Sequence, residues 1–159
     1  MTTAFNATKD KIGYYVEQAA AESGSIGILL LQEAQSDSSM ADHATVAAVL
    51  AASGNTEATF TNYVRKTLAD PTRTVDDDAD TVYLGGAAPG TEVQIEWTSA
   101  GGTTNNTLEK ALFYYSPDGA DADDDRVPLM ATDIAASTDG NDLVLTLHSD
   151  GFARVVNPS

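Results

Sequence analysis

The sequence has 159 residues, of which 42% are hydrophobic, and this length predicts one domain with a core of its own. It contains 24 acidic and 8 basic residues, and the formal net charge of -16 argues against binding to nucleic acid or to an anionic membrane surface. There is no cysteine, which excludes disulfides and cysteine-ligated metal sites.

The first 24 residues are predicted to form a helix. Phe5, Ile12 and Val16 recur at helical spacing, and the polar residues 23–25 end the pattern. The N-terminus lacks the positive start and apolar run of a signal peptide, which predicts synthesis in a cytoplasm. We expect this helix either to cover an edge of the body or to reach away as a docking arm, so Phe5, Ile12 and Val16 are interface candidates.

Residues 26–31 form a continuous apolar run, which favours a strand that is covered on both faces. This run is far shorter than the roughly 20 residues that span a bilayer. Residues 35–39 predict a polar loop. Asp42 is then predicted to cap a short alanine-rich helix at residues 43–52, which ends at Gly54.

From residue 56 onward the pattern changes to short strands separated by turn residues. Residues 76–80 predict the acidic turn of a hairpin, and Asp150 with Gly151 predicts the turn between the last two strands. Seven or eight strands at this spacing predict a mainly β fold, an antiparallel β-sandwich or partly open barrel with one or two N-terminal helices. Residues 25–159 would form the β-rich body of the single domain. The segments rich in strand formers, from which these strands are drawn, are residues 59–64, 65–68, 72–75, 81–84, 93–97, 112–115, 127–130, 143–148 and 152–156.

The sequence offers little for catalysis. His43 opens a predicted helix and His148 ends a predicted strand, and neither lies in a recognisable metal motif. The nucleophile elbow and the phosphate-binding loop are also missing, so the glycine pairs at 85–86 and 101–102 are interpreted as turns. We therefore expect no catalytic residue, no cofactor and no enzymatic activity.

Two acidic clusters, at residues 76–80 and 118–125, are the candidate sites for a cation. Calcium takes six to eight oxygen ligands, and Asp121, Asp123 and Asp125 offer several, without the spacing and closing glutamate of an EF-hand. A solvated surface loop is the default interpretation of each cluster. Calcium at Asp121, Asp123 and Asp125 is the alternative.

The aromatic side chains supply further candidates for contact with a partner. Most are assigned to the core, but strand alternation predicts that Tyr63 or one of Tyr114 and Tyr115 faces outward. Aromatic residues are enriched at interface hot spots. Tyr63 and Tyr115 are therefore interface candidates.

A series of segments between about residue 26 and 156 follows a recognisable order: residues 28–31, 60–68, 75–82, Trp97, residues 105–108, Tyr114 and Tyr115 with Asp118, and residues 127–129, 139–143 and 151–154. In this series the chain resembles small virion-associated proteins of tailed bacteriophages, especially those that infect actinobacteria. The resemblance lies in the arrangement of segments rather than in one diagnostic motif. It implies a particle component without catalytic residues, either a capsid decoration or minor capsid subunit or a minor tail protein.

The leading hypothesis is thus a virion structural protein, made in the host cytoplasm, that contacts major capsid or tail proteins and forms a symmetric homo-oligomer. Two alternatives stay open. A tail-tip module that binds host carbohydrate would be indicated by an exposed Trp97 or Tyr115. A halophilic or calcium-dependent domain unrelated to phages would be indicated by a melting temperature that rises with calcium or molar salt.

Overall fold

The computed structural model describes residues 2–21, 24–76, 81–84, 92–117, 122–148 and 153–156. The described part is mainly β, with antiparallel sheets that stay open rather than closing into a barrel, so the predicted fold class is confirmed. Its elements in chain order are β1 (Thr2–Ala4), α1 (Ile12–Ala20), β2 (Gly24–Glu33), α2 (Asp37–Met40), α3 (Val46–Ala51), β3 (Thr56–Glu57), β4 (Lys66–Thr67), β5 (Arg73–Asp76), β6 (Thr81–Leu84), β7 (Val93–Trp97), β8 (Thr107–Pro117), β9 (Val127–Ser137), β10 (Leu143–Leu147) and β11 (Ala153–Val156).

The largest sheet has β2 and β8 at its centre. Its strand order is β1-β9-β8-β2-β3, and β4 pairs with β2 beside β3. β2 and β8 are antiparallel from Gly24 opposite Pro117 to Leu31 opposite Lys110. The apolar run in β2 therefore lies in the middle of the molecule, where both of its faces are removed from water.

Apolar side chains pack on both faces of this sheet. On one face Ile26, Ile28 and Leu30 pack with α1 and with β7. On the other face Leu29 and Leu31 pack with residues of α2 and α3. All five side chains are fully buried, which confirms the prediction of a strand covered on both faces. Burial of each such side chain contributes about 1.5–3 kcal/mol relative to its exposure.

Two smaller antiparallel sheets complete the described fold, β7 with β10 and β5-β6-β11. The predicted β5–β6 hairpin is confirmed in its strands, while its turn residues 77–80 lie outside the described residues. The last two strands do not pair with each other, contrary to the predicted hairpin, because β10 pairs with β7 and β11 with β6. In β10, Leu143 and Leu145 lie opposite Trp97 and Ile95, and such apolar cross-strand pairs stabilise the pairing of β10 with β7.

The prediction of one helix across residues 1–24 is wrong at its start. Residues 2–4 form β1 and pair with β9, and α1 begins only at Ile12. A free edge of the sheet accepts the first residues as a strand, and helical spacing at Phe5 cannot reveal that pairing. α1 packs on β2 and β8 through Ile12, Val16 and Ala19, so it is part of the body and not a docking arm.

The second helix also differs from its prediction. α3 begins at Val46, and Thr45 rather than Asp42 caps it, since the Thr45 side chain accepts a hydrogen bond from the Ala48 N–H. The Asp42 carboxylate instead accepts a hydrogen bond from Asn6 Nδ2 at 2.8 Å. The predicted loop at residues 35–39 contains the short helix α2.

The predicted strand at residues 59–64 is wrong. Residues 58–65 form a connection, and Asn62 has a φ of 68°, which is incompatible with an extended strand. In the following segment only Lys66–Thr67 pairs as β4. In contrast, β8 and β9 are longer than predicted, with 11 residues each, because pairing between neighbours extends them through residues of low strand propensity.

Candidate functional site

The largest group of connected charges in the described residues lies around Arg65. The Arg65 guanidinium donates to both carboxylate oxygens of Glu57, each at 2.7 Å, and to Asp123 at 2.5 and 2.9 Å. The three side chains are only 22–26% exposed. Two bidentate pairs on one guanidinium give a strong and geometrically specific contact. We call Glu57, Tyr63, Arg65, Asp123 and Arg126 the Arg65 cluster.

The aromatic ring of Tyr114 forms one side of this cluster. The guanidinium carbons of Arg65 and Arg126 lie 5.9 and 5.6 Å from the ring centroid, within the range of a cation–π interaction. On the neighbouring strand Gly27 is paired with Tyr114, and a Cβ there would lie 2.2 Å from Tyr114 Cζ. Glycine at position 27 thus makes room for the ring.

Protonation equilibria agree with this geometry. Hydrogen bonds from Arg65, together with those from Arg126, hold the pKa of Asp123 below its usual value despite partial burial. Burial, followed by the charge of Glu57, raises the pKa of the Tyr63 phenol. The protonated Tyr63 hydroxyl donates to Glu57 at 2.8 Å and accepts from the Leu30 N–H at 3.1 Å. Asp123 is therefore charged and the Tyr63 phenol protonated at neutral pH.

The Arg65 cluster ties distant parts of the chain together. Arg65 joins the end of β3 to the loop at residues 122–126. That loop also accepts hydrogen bonds from the start of α3, since Val46 N–H donates to the Arg126 carbonyl and Ala47 N–H to the Asp123 carbonyl, both at 3.0 Å. Within the Arg65 cluster the carboxylates and guanidiniums compensate each other's charge. The cluster is therefore suited to connect these segments rigidly and not to act as an acid, base or nucleophile.

A second charged group lies in an open groove of about 660 Å³ beside β8 and β9. Lys110 is only 7% exposed, and its Nζ donates to Asp37 at 2.7 Å and to Asp133. Burial alone would lower the pKa of Lys110, but the two carboxylates outweigh it and raise that pKa. The same contact lowers the pKa of Asp133 to about 2. Lys110 is therefore a cation between two anions, which is unsuited to act as a nucleophile or base.

Four of the five interface candidates are buried by the fold itself. Phe5 and Val16 are 0% exposed, Ile12 6% and Tyr115 7%, so the prediction that they face a partner is wrong. Phe5 packs with the α2–α3 side of the sheet, whereas the other three belong to the core on the α1 side. Tyr63 is half-buried, with its hydroxyl committed to Glu57. Tyr114 is buried as well, so both faces of β8 are covered and strand alternation exposes neither tyrosine.

The calcium hypothesis has no support from the geometry of the described residues. Both oxygens of Asp123 accept hydrogen bonds from arginine, which leaves them poorly placed for a cation. Asp125 is exposed, and Asp121 lies outside the described residues. Across the described ranges, no three histidine, aspartate or glutamate side chains come together in a way that would hold a metal ion.

The histidines and the tryptophan also have structural surroundings. His43 is half-buried with its Nε2 at 2.9 Å from Gln35 Oε1, and His148 is exposed. Trp97 is 1% exposed and donates to the Val64 carbonyl at 2.8 Å. Neither Trp97 nor Tyr115 is the exposed aromatic that a carbohydrate site was expected to present.

Sequence reasoning did not identify Arg65, Arg126 and Lys110. One signal was available, since a chain with 8 basic and 24 acidic residues has few cations with which to compensate buried carboxylates. A basic residue beside a strand in such a chain is a candidate partner for a buried carboxylate. The sequence does not reveal which carboxylate it meets.

Comparisons with protein-family models, with curated proteins and with solved structures find no match for this chain. In the part of the chain that the structure describes, no helix combines the length and apolar character needed to cross a bilayer.

Proposed function

We propose that this chain is a non-enzymatic structural subunit of a tailed-bacteriophage particle, acting as a capsid decoration or minor capsid protein or as a minor tail protein. The proposal joins the resemblance described above to one structural observation. The half-buried cation Arg65 and the buried cation Lys110 form ion pairs inside the fold that connect loops and strands. Ion pairs placed inside the fold favour a rigid, acidic protein body that contacts its partners through its surface.

A rigid body is well suited to assembly. An interface between preformed surfaces loses less conformational entropy than one that must order its side chains and loops on binding. A specific contact with a capsid or tail protein would bury about 1,200–2,000 Å² in total. A symmetric homo-oligomer on the particle is part of the proposal.

The strong negative charge favours an outward position. A chain of net charge -16 would be repelled by packaged nucleic acid, whereas the exterior of a particle imposes no such penalty. The carbohydrate-binding alternative is less well supported, because Trp97 and Tyr115, the aromatics expected to contact a sugar, are buried.

Mass spectrometry of purified virus particles, followed by electron microscopy with an antibody to this chain, tests the proposal. We expect the chain to co-purify with particles at a fixed ratio to the major capsid or tail protein. Label across the head would assign it to the capsid, and label along or at one end of the tail would assign it there. The antibody pre-absorbed with purified chain is the control. Particles that lack the chain would contradict the proposal.

A further inference from the structure

The outer edge of β9 is covered over only part of its length. β1 pairs with this edge from Met130 to Thr132, and β8 pairs with the opposite edge as far as Ser137. Among the described strands none pairs with the outer edge at residues 134–137. The backbone N–H and C=O groups along such an edge form a template on which another strand can be added.

β10 has a similar edge and faces β9 across a gap. β10 pairs with β7, and no other described strand pairs with it. Residues 138–142 connect β9 to β10, but their backbone hydrogen bonds are made with other segments. Thr138 N–H donates to the Asn106 carbonyl, and Gly140 N–H donates to the Ala100 carbonyl. The two consecutive strands therefore diverge instead of forming a hairpin. We call the gap between residues 134–137 and 143–147 the β9–β10 seam.

The seam contains an apolar crevice of about 200 Å³. A cavity of about 150 Å³ is large enough to hold benzene, so this crevice has room for an aliphatic side chain. Val144, at its rim, is 45% exposed and is one of three large apolar side chains that are exposed among the described residues. The crevice is lined by Leu30, Trp97, Ile134, Ala135, Ala136, Leu143, Val144 and Leu145.

Charge around the seam indicates what can occupy it. The exposed carboxylates Glu96, Asp139 and Asp142 lie on β7 and on the β9–β10 connection, with Glu96 opposite Val144. No lysine or arginine occurs in β7 or between residues 127 and 147. A second copy docked seam to seam would place these carboxylates against each other, whereas a basic segment would be attracted to them.

We propose that the β9–β10 seam binds an extended segment of a different polypeptide, with lysine or arginine alternating with aliphatic residues. The segment adds to β9 as a strand through backbone hydrogen bonds, and one aliphatic side chain enters the crevice. Alternation places the basic residues on the opposite face, toward solvent and the carboxylates. The inference deepens the proposed function and rests on it, because the segment would belong to a neighbouring protein of the particle.

Two synthetic heptapeptides with blocked termini test the seam, one alternating lysine with valine and leucine and one with glutamate in place of lysine. We expect the full chain to bind the lysine peptide, and to bind it more weakly as salt is raised. Hydrogen exchange should show protection of the amides at residues 134–137 on binding. Equal binding of both peptides, binding of neither, or protection confined to another part of the chain would overturn the inference.

Val144→Lys should weaken binding of the lysine peptide roughly tenfold, because it places a cation at the rim of the crevice. Val64→Lys is the matched control, since Val64 is 56% exposed and does not line the crevice. Ala135→Lys, at an exposed position of β9, repeats the test if the first variant fails to fold. An equal loss in the Val64 variant would show that net charge alone drives binding, and would overturn the inference.

Incorporation into particles separates this inference from the proposed function. If the chain is a particle component and Val144→Lys is incorporated as well as wild type, the seam inference fails while the structural role stands. If the chain is absent from particles, the structural role fails whatever the peptides do. Self-association of the purified chain that is lost in Val144→Lys would assign the seam to a second copy and would overturn the choice of a basic partner.

Discussion

Arg65→Met tests whether the Arg65 cluster holds the β3 end of the sheet to the loop at residues 122–126. Methionine retains an unbranched aliphatic stem like that of arginine but lacks the guanidinium. The substitution therefore removes the four hydrogen bonds that Arg65 donates to Glu57 and Asp123. Loss of one partner of a fully buried ion pair costs about 3–5 kcal/mol, and loss of an exposed pair about 0.2–1 kcal/mol. With side chains 22–26% exposed, we expect a loss of about 2–3 kcal/mol.

Urea denaturation measures this loss directly. Trp97 is the single tryptophan and is 1% exposed, so its fluorescence reports unfolding of the core. The midpoint should fall with an unchanged slope, which would indicate a change in stability rather than in the compactness of either state. The melting temperature should fall by about 4–12 °C, since 1 kcal/mol corresponds to roughly 2–4 °C in a domain of this size.

Arg73→Met provides the control. Arg73 contacts Glu17 at 3.0 Å, but the two side chains are 37% and 52% exposed. We expect this variant to lose less than about 1 kcal/mol. An Arg65 variant that loses no more than the Arg73 variant would refute the reasoning, because burial would then not distinguish the two ion pairs.

Three further predictions concern packing, capping and pH. Gly27→Ala should destabilise the chain by about 1–3 kcal/mol, because the new methyl group would overlap the Tyr114 ring; an unchanged urea midpoint would contradict this packing. Thr45→Ala should cost about 1 kcal/mol through loss of the α3 cap, whereas Thr45→Ser, which retains the hydroxyl, should stay near wild type in the same assay. The pKa of Asp123 is lowered in the folded state, so its contribution is complete above the unfolded pKa of about 3.9 and is lost as the pH falls through the folded value. Stability measured between about pH 5 and 2 should therefore fall less steeply in Asp123→Asn than in wild type, and parallel curves would show that Asp123 contributes nothing.

Local sequence patterns predicted those strands whose conformation is indicated by the residues of the segment itself. The apolar run of β2 and the alternation of β7 are confirmed because the pattern of burial on one or both faces appears in consecutive residues. The β5–β6 pairing is confirmed because two segments rich in strand formers flank an acidic turn sequence. Patterns failed where a partner decides the conformation. Residues 2–4 read as part of a helix but form a strand, because β9 offers an edge more than 100 positions away in sequence.

The candidate sites show the same division. The sequence shows that Phe5, Val16 and Tyr115 are large apolar or aromatic residues. Whether such a side chain contacts a partner or the chain's own core depends on which elements pack against it. Here α1, α2 and α3 cover the two faces of the central sheet, so the residues expected at an interface became core.

By itself the sequence determined the class of the fold, the acidity of the surface and the absence of cysteine chemistry, because these follow from composition and from periodicity within short segments. Only the tertiary structure decided that Arg65 meets Asp123, 58 positions away, and that β9 and β10 diverge around an apolar crevice. Contacts of this kind depend on how separate segments pack in space, and a side chain's neighbours across a sheet leave no mark on the residues beside it in sequence.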